Sequence, residues 1–452
     1  MEYFKNRRSS LRIHEGRLDQ LFKYIVDYFT EDWLNKKKEH PIKQLWQRSD
    51  ELSTNELFSL AIGIEAFWNL DRKWVREQLQ YIKGTDKNNR QGAAFEILGL
   101  NMLNHTKHPV TPTKRNLAGY DGTMQISASK EIRLSLKNYG SSAHQVQFEK
   151  MATATENTIK NLLKKYSYGP VSIIIDCPID YPTQTKWDLL HAYIDDCFKT
   201  KRNDTDPFFA IATDKPEWII LINPLTENDG AKYHSGYNSY SLIVTAPYHK
   251  NEKDNLISKI EDACHNLTKH SSIENDNICN ILFLHLSPNA SINYCKQWVE
   301  EYFLEFPNKP ITGVFLYQPS VASLEATNSS TAIVHFFLSV LKEQKYIAWI
   351  PPGFTIDLVV PVGIASTEPT QNKLIIQYPN KPYEQILLND RYTYQHGSHY
   401  LKMQEIGAGS WQGTMHKVGS GVYTSVVMEF PGQPNQAVLS PKVPPFDELL
   451  IL

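Results

Sequence analysis

The chain has 452 residues, 41% apolar and 21% charged, the proportions of a globular protein long enough for two to four domains. A net charge of −2 argues against a broadly basic protein that coats nucleic acid. The five cysteines, odd in number and never spaced CxxC, argue against a disulfide framework or a zinc site. Residues 1–20 are charged and no run of about 18 apolar residues occurs, so neither a signal peptide nor a membrane span is expected, and the expected location is cytoplasmic.

Residues 1–85 read as helices. Leu18, Leu21, Phe22, Ile25, Phe29 and Trp33 recur at helical spacing, and Lys36-Lys37-Lys38 stands where cations suit a helix end. Ser53 and Glu56 have the spacing of a capping box ahead of a helix over 57–70, and a helix over 74–83 stops at Gly84. After a polar link at 85–90, the run from Arg90 to Leu103 is apolar almost all round and is interrupted by Glu96. An unpartnered buried charge costs several kcal/mol or more, so Glu96 should meet a cation, a metal or a polar surface.

A hairpin follows, with extended runs at 123–127 and 131–137 around the turn Ala128-Ser129-Lys130. Alternation puts Ile132, Leu134 and Leu136 on one face and Arg133, Ser135 and Lys137 on the other. Lys137, at the end of one strand, then lies near Asp121 at the start of the other, a pairing able to hold a metal ion and a phosphate together. Between Asp86 and Tyr166, 12 Lys and Arg stand against 6 acids, a local excess suited to phosphates. Residues 138–143 read as a loop and 144–166 as a long helix. His144 and Gln145, at its start, either reach water or phosphate near Lys137 or serve as caps.

Alternating helices and strands continue. Extended runs at 171–175, 208–212, 218–222 and 241–246 are interspersed with a helix over 187–198 and followed by one over 254–267. The succession of a strand at 281–286, a helix at 292–306 and a strand at 311–317 predicts a right-handed crossover between parallel strands. These strands either extend the hairpin's sheet or form a neighbouring α/β section from about residue 215. From about residue 326 the character changes to short strands divided by Pro and Gly, a β-rich C-terminal domain. Its cluster of Tyr392, Tyr394, His396, His399, Tyr400, Trp411 and His416 suits packing. It also offers a surface for stacking bases, gripping a protein partner or self-association. No Walker A loop, GxGxxG fingerprint or nucleophile elbow is present.

The order of Glu96 on a helix, Asp121 at a strand start and Lys137 on the next strand, followed by a long helix, resembles the PD-(D/E)xK nuclease superfamily over roughly residues 86–180. The resemblance implies a restriction-endonuclease-like mixed α/β sheet core over residues 86–325, between the helical N-terminal region and the β-rich C-terminal domain. It further implies a Mg²⁺- or Mn²⁺-dependent endonuclease acting on DNA, restriction- or defence-related. Glu96 and Asp121 correspond to the metal-binding acids and Lys137 to the catalytic lysine. Arg133, Asn138, His144 and Gln145 are the candidates for holding substrate. The chain departs from the pattern at the second acid, two residues before the lysine, where Ser135 stands. Glu131 shares its strand parity but is about 20 Å from Lys137 along a straight strand, so water or the Leu136 carbonyl is expected to fill the place. The departure also leaves a second expectation open, a nuclease-like fold that no longer cleaves and serves in nucleic-acid binding or assembly.

Overall fold

The computed structural model describes residue 7 and residues 14–36, 40–47, 51–104, 106–114, 119–140, 142–167, 171–201, 208–211, 215–224, 240–270, 277–286, 290, 292–323 and 331–349. Further on it describes 386–387, 391–396, 399–407, 410–417, 422–429 and 436–437. The packing or stacking roles read for His396, His399 and their aromatic neighbours rest on side chains outside those described.

Six helices come first: α1 (Glu15–Phe29), α2 (Glu31–Asn35), α3 (Pro41–Gln47), α4 (Glu51–Trp68), α5 (Arg72–Lys83) and α6 (Lys87–Met102). Leu18, Leu21, Phe22, Ile25 and Phe29 form the buried stripe of α1, as their spacing predicts. Trp33 does not continue that helix. Thr30, at φ 64°, ends α1 and turns the chain into α2, its side chain accepting the Trp33 N–H. Ser53 and Glu56 are not a capping box either: α4 begins at Glu51, and both side chains are fully buried inside it. The N-caps of α5 and α6 are Asp71 and Asp86, which accept the N–H groups of Trp74 at 2.9 Å and Asn89 at 2.7 Å.

The strands and remaining helices are β1 (Val110–Pro112), β2 (Gly122–Gln125), β3 (Glu131–Tyr139), α7 (Ala143–Tyr166), β4 (Val171–Asp176), α8 (Gln184–Lys201), β5 (Phe208–Ile211), β6 (Trp218–Pro224) and β7 (Tyr240–Thr245). Then come α9 (Glu252–His270), β8 (Ile278–Leu286), α10 (Ile292–Glu305), β9 (Gly313–Ser323), β10 (Thr331–Leu341), β11 (Ile386–Leu387), β12 (Arg391–His396), β13 (His399–Gly407), β14 (Ser410–Lys417), β15 (Val422–Glu429) and β16 (Gln436–Ala437). They build two mixed sheets, ordered β1-β2-β3-β8-β9-β10 and β12-β13-β14-β15-β7-β4-β6-β5, and a small β11-β16 pair. The protein is thus mixed α/β.

In the first sheet β3, β8 and β9 are parallel, so the predicted crossover at 281–317 extends the hairpin's own sheet. Strand 171–175 does not: β4 lies in the second sheet, parallel to β7. The long helix α7 goes with it, burying Phe148, Ile159 and Leu163 against Ile173, Trp187 and Trp218. Helices α9 and α10 instead cover one face of the first sheet, through Leu256, Ile260, Val299 and Tyr302 against Leu282, Leu284 and Leu316. Helices α1–α6 share one apolar core with its other face, where Ile132, Leu134, Leu136, Phe283 and Tyr317 lie. Burying each such side chain stabilises by about 1.5–3 kcal/mol. The strands of the β-rich C-terminal part complete the second sheet through pairing of β15 with β7. Among the described residues no helix is long and apolar enough to cross a membrane.

Candidate active site at the carboxyl ends of the parallel strands

Gly119 sits at φ 70°, a conformation that side chains disfavour, and turns the chain into Tyr120 and Asp121 just before β2. The Asp121 N–H donates to the Leu134 carbonyl at 2.7 Å. Its Oδ2 accepts the Leu136 N–H at 2.6 Å. The carboxylate therefore continues the ladder where β2 has stopped. A residue's N–H and C=O project to the same side of a strand, so the Leu136 carbonyl faces the same gap beside Asp121. A carboxylate has about four lone-pair sites, and the Leu136 bond takes one of them.

Glu96 approaches from α6. A Cβ added at Gly99 would lie 2.8 Å from Leu136 Cδ2, and one at Gly122 would lie 2.8 Å from Leu100 Cδ2. Glu96 is one turn before both Gly99 and Leu100, on the same sheet-facing stripe. Its neighbour Phe95 packs on Phe283 and stacks on His285, and His285 pairs in register with Asn138. These contacts set the Glu96 turn at the level of residues 136–138, beyond the end of β2. Glu96 is 9% exposed and engaged by its surroundings.

Lys137 projects from the face opposite Leu136, the face it shares with Arg133 and Ser135. It is half-buried and makes no ion pair among the described residues. Arg133 differs: its Nε donates to Glu131 Oε1 at 2.9 Å, and its guanidinium lies 5.1 Å from the Tyr120 ring centroid. Ser135, predicted on the polar face, is only 3% exposed. Asn138 belongs to β3 rather than to a loop, and its Oδ1 is 2.8 Å from His285 Nδ1. The strand runs two residues past Lys137 because β8 pairs with it as far as Tyr139.

The cap of α7 is Ser142, whose hydroxyl accepts the Gln145 N–H at 3.0 Å. His144 instead stacks face to face on His249, with centroids 3.4 Å apart and planes 11° off parallel. Tyr181 lies edge-on to both rings and donates its hydroxyl to the His144 carbonyl. Burial, then His144, holds the His249 imidazole below its usual range. Burial pushes the Tyr181 phenol up to about 12. Glu252, buried at the start of α9, accepts the Tyr139 hydroxyl at 2.9 Å and that of Ser142. Burial and Glu252 hold the Tyr139 phenol protonated far above its ordinary range. Nothing local in the sequence marks Tyr181, His249, Glu252 or His285, which fold topology brings to the ends of β3, β4, β7 and β8.

Among the described residues, no three His, Cys, Asp or Glu side chains group to hold a metal. Asp121, Glu96 and the Leu136 carbonyl are hard oxygen donors, the donor type that magnesium-like cations take. No family model, curated protein or solved structure matches the chain.

Proposed function

We propose that the chain is a Mg²⁺-dependent nuclease that hydrolyses phosphodiester bonds of DNA. The observation that carries the reading is the bond from the Leu136 N–H to Asp121. It holds the Asp121 carboxylate against β3 at the residue before Lys137. Asp121, Glu96 and the Leu136 carbonyl would hold the cation, which supplies Lewis-acid polarisation of phosphate and a more acidic bound water. Lys137 lies on the face of β3 opposite Leu136, near the end of the strand that α9 packs against, and its ammonium would orient a phosphate there and oppose the negative charge that develops on it. Buried Ser135 adds a hydroxyl and no charge.

The reading is tested by incubating supercoiled and linear DNA with the purified chain in Mg²⁺, Mn²⁺ or chelator. Cleavage should need the metal. Asp121→Ala should lose most of it while remaining folded, because a half-buried carboxylate at a strand end contributes little to packing. A second reading, a nuclease-like fold serving in nucleic-acid binding or assembly, is favoured by the serine at position 135 and the small count of carboxylates. It takes over if the wild-type chain cuts no nucleic acid with any divalent metal.

A further inference from the structure

Helix α10 begins at the carboxyl end of β8, and its first turns carry Tyr294 and, four residues on, Trp298. The two rings lie parallel, with centroids 5.9 Å apart and planes 12° off. Tyr248 meets both edge-on, at 5.8 and 6.5 Å. Trp298 is anchored against the core beneath α9 and α10, whereas Tyr294 is 47% exposed. The result is an aromatic ledge with a fixed base and an accessible top.

The ledge adjoins the candidate active site. Tyr139 is two residues beyond Lys137, about 7 Å along the strand. Its phenol bonds Glu252, with Tyr248 and Cys295 near enough to oppose its ionisation. On the other flank of Tyr248 come the stacked His249 and His144. Lys137 and the exposed Lys250 supply cations on this rim. Of the acids at the far end of α10, Glu301 is paired with Lys253 at 2.6 Å. What Tyr294 adds to the cations of this surface is an exposed aromatic ring. A ring face is recognised by an unpaired base, since in a duplex the bases are stacked on one another.

We propose that Tyr294, supported by Trp298 and Tyr248, stacks an unpaired base of a DNA strand whose phosphate lies at Lys137, so that the site takes single-stranded or locally opened DNA in preference to intact duplex. The inference rests on the nuclease reading for the neighbouring site, and binding measured without cleavage separates the two. Labelled oligothymidylate and a duplex of equal length are titrated into the full chain in chelator, with Trp fluorescence and anisotropy as readouts. Oligothymidylate should bind more tightly than duplex and quench Trp fluorescence. Tyr294→Ala should weaken its binding roughly 5- to 150-fold, the range for loss of one base–aromatic stack. Tyr294→Trp should retain it, as should Tyr193→Ala, which removes a comparably exposed tyrosine from α8. Equal affinity of wild type and Tyr294→Ala for oligothymidylate overturns the proposal. So does a wild type that binds no oligonucleotide, which would assign the ledge to a protein partner. Ledge-dependent binding with no cleavage in Mg²⁺ upholds the ledge and sinks the nuclease reading. Cleavage with affinity independent of Tyr294 does the reverse.

Discussion

Two glycines on α6 should respond oppositely to the same substitution. Gly92 has nothing within 4 Å of an added Cβ. Gly92→Ala therefore gains helix propensity without a clash and should stabilise by about 0.4–1 kcal/mol. At Gly99 the added carbon would lie 2.8 Å from Leu136 Cδ2, 3.1 Å from Phe95 Cε2 and 3.2 Å from Phe283 Cε1. All three belong to a packed core, and overpacking of this kind costs about 1–3 kcal/mol. The helix gain offsets part of it, leaving Gly99→Ala neutral to destabilising by about 2 kcal/mol. The difference between the variants reports the packing of α6 on β3 and β8, and denaturant titration of both measures it. Relief of the clash by pushing α6 outward would also move Glu96 away from Asp121. Gly99→Ala should therefore weaken Mg²⁺ binding while Gly92→Ala leaves it unchanged, as calorimetry can read. If Gly99→Ala is as stable as Gly92→Ala and binds Mg²⁺ normally, the helix does not hold Glu96 at the strand in the way argued.

Lys137→Ala should slow DNA cleavage 100- to 1000-fold, a loss of about 3–4 kcal/mol of transition-state stabilisation. Ser135→Ala removes a neutral hydrogen bond of about 1 kcal/mol and should slow it no more than about tenfold; equal damage from both would give the serine a direct role. Tyr139→Phe takes a hydroxyl donor from buried Glu252 and should destabilise by about 1–3 kcal/mol in urea titration, and an unchanged midpoint would mean that the bond contributes nothing. Burial holds the His191 and His249 imidazoles below their usual range, so below about pH 6.5 the unfolded chain binds more protons than the folded one. Stability should therefore fall as the solution is acidified through that range, and a His191→Gln, His249→Gln double variant with an unaltered pH profile would refute it.

Element by element, the strands and helices were largely legible because each depends on its own sequence pattern. The alternation from Ile132 to Lys137 predicts the two faces of β3, and Ile132, Leu134 and Leu136 are buried as it implies. The near-continuous burial of β8 matches its apolar run. Sheet membership was not legible, because strand periodicity does not name a partner. Asn138 bonds His285 across 147 residues, and no local signal links them. The same limit explains why α7 follows the hairpin in sequence yet packs on the other sheet. Glu96 stood out because a charge in an apolar helix requires an account. His249 and Tyr294 did not, because an aromatic residue next to a loop is ordinary until the fold shows its neighbours.

The second sheet also sets an order of events during synthesis. β7 has β4 on one side and β15 on the other, and β15 ends only at residue 429. While the chain grows, β4, β5, β6 and β7 can pair among themselves, but the remaining edge of β7 stays open until β15 emerges. That edge carries Leu242 and Val244, both fully buried in the finished protein. An open apolar strand edge is a template for another chain's strand. The C-terminal strands thus act as an intramolecular shield that arrives late, and any nascent chain stalled before residue 422 displays a surface on which copies can associate.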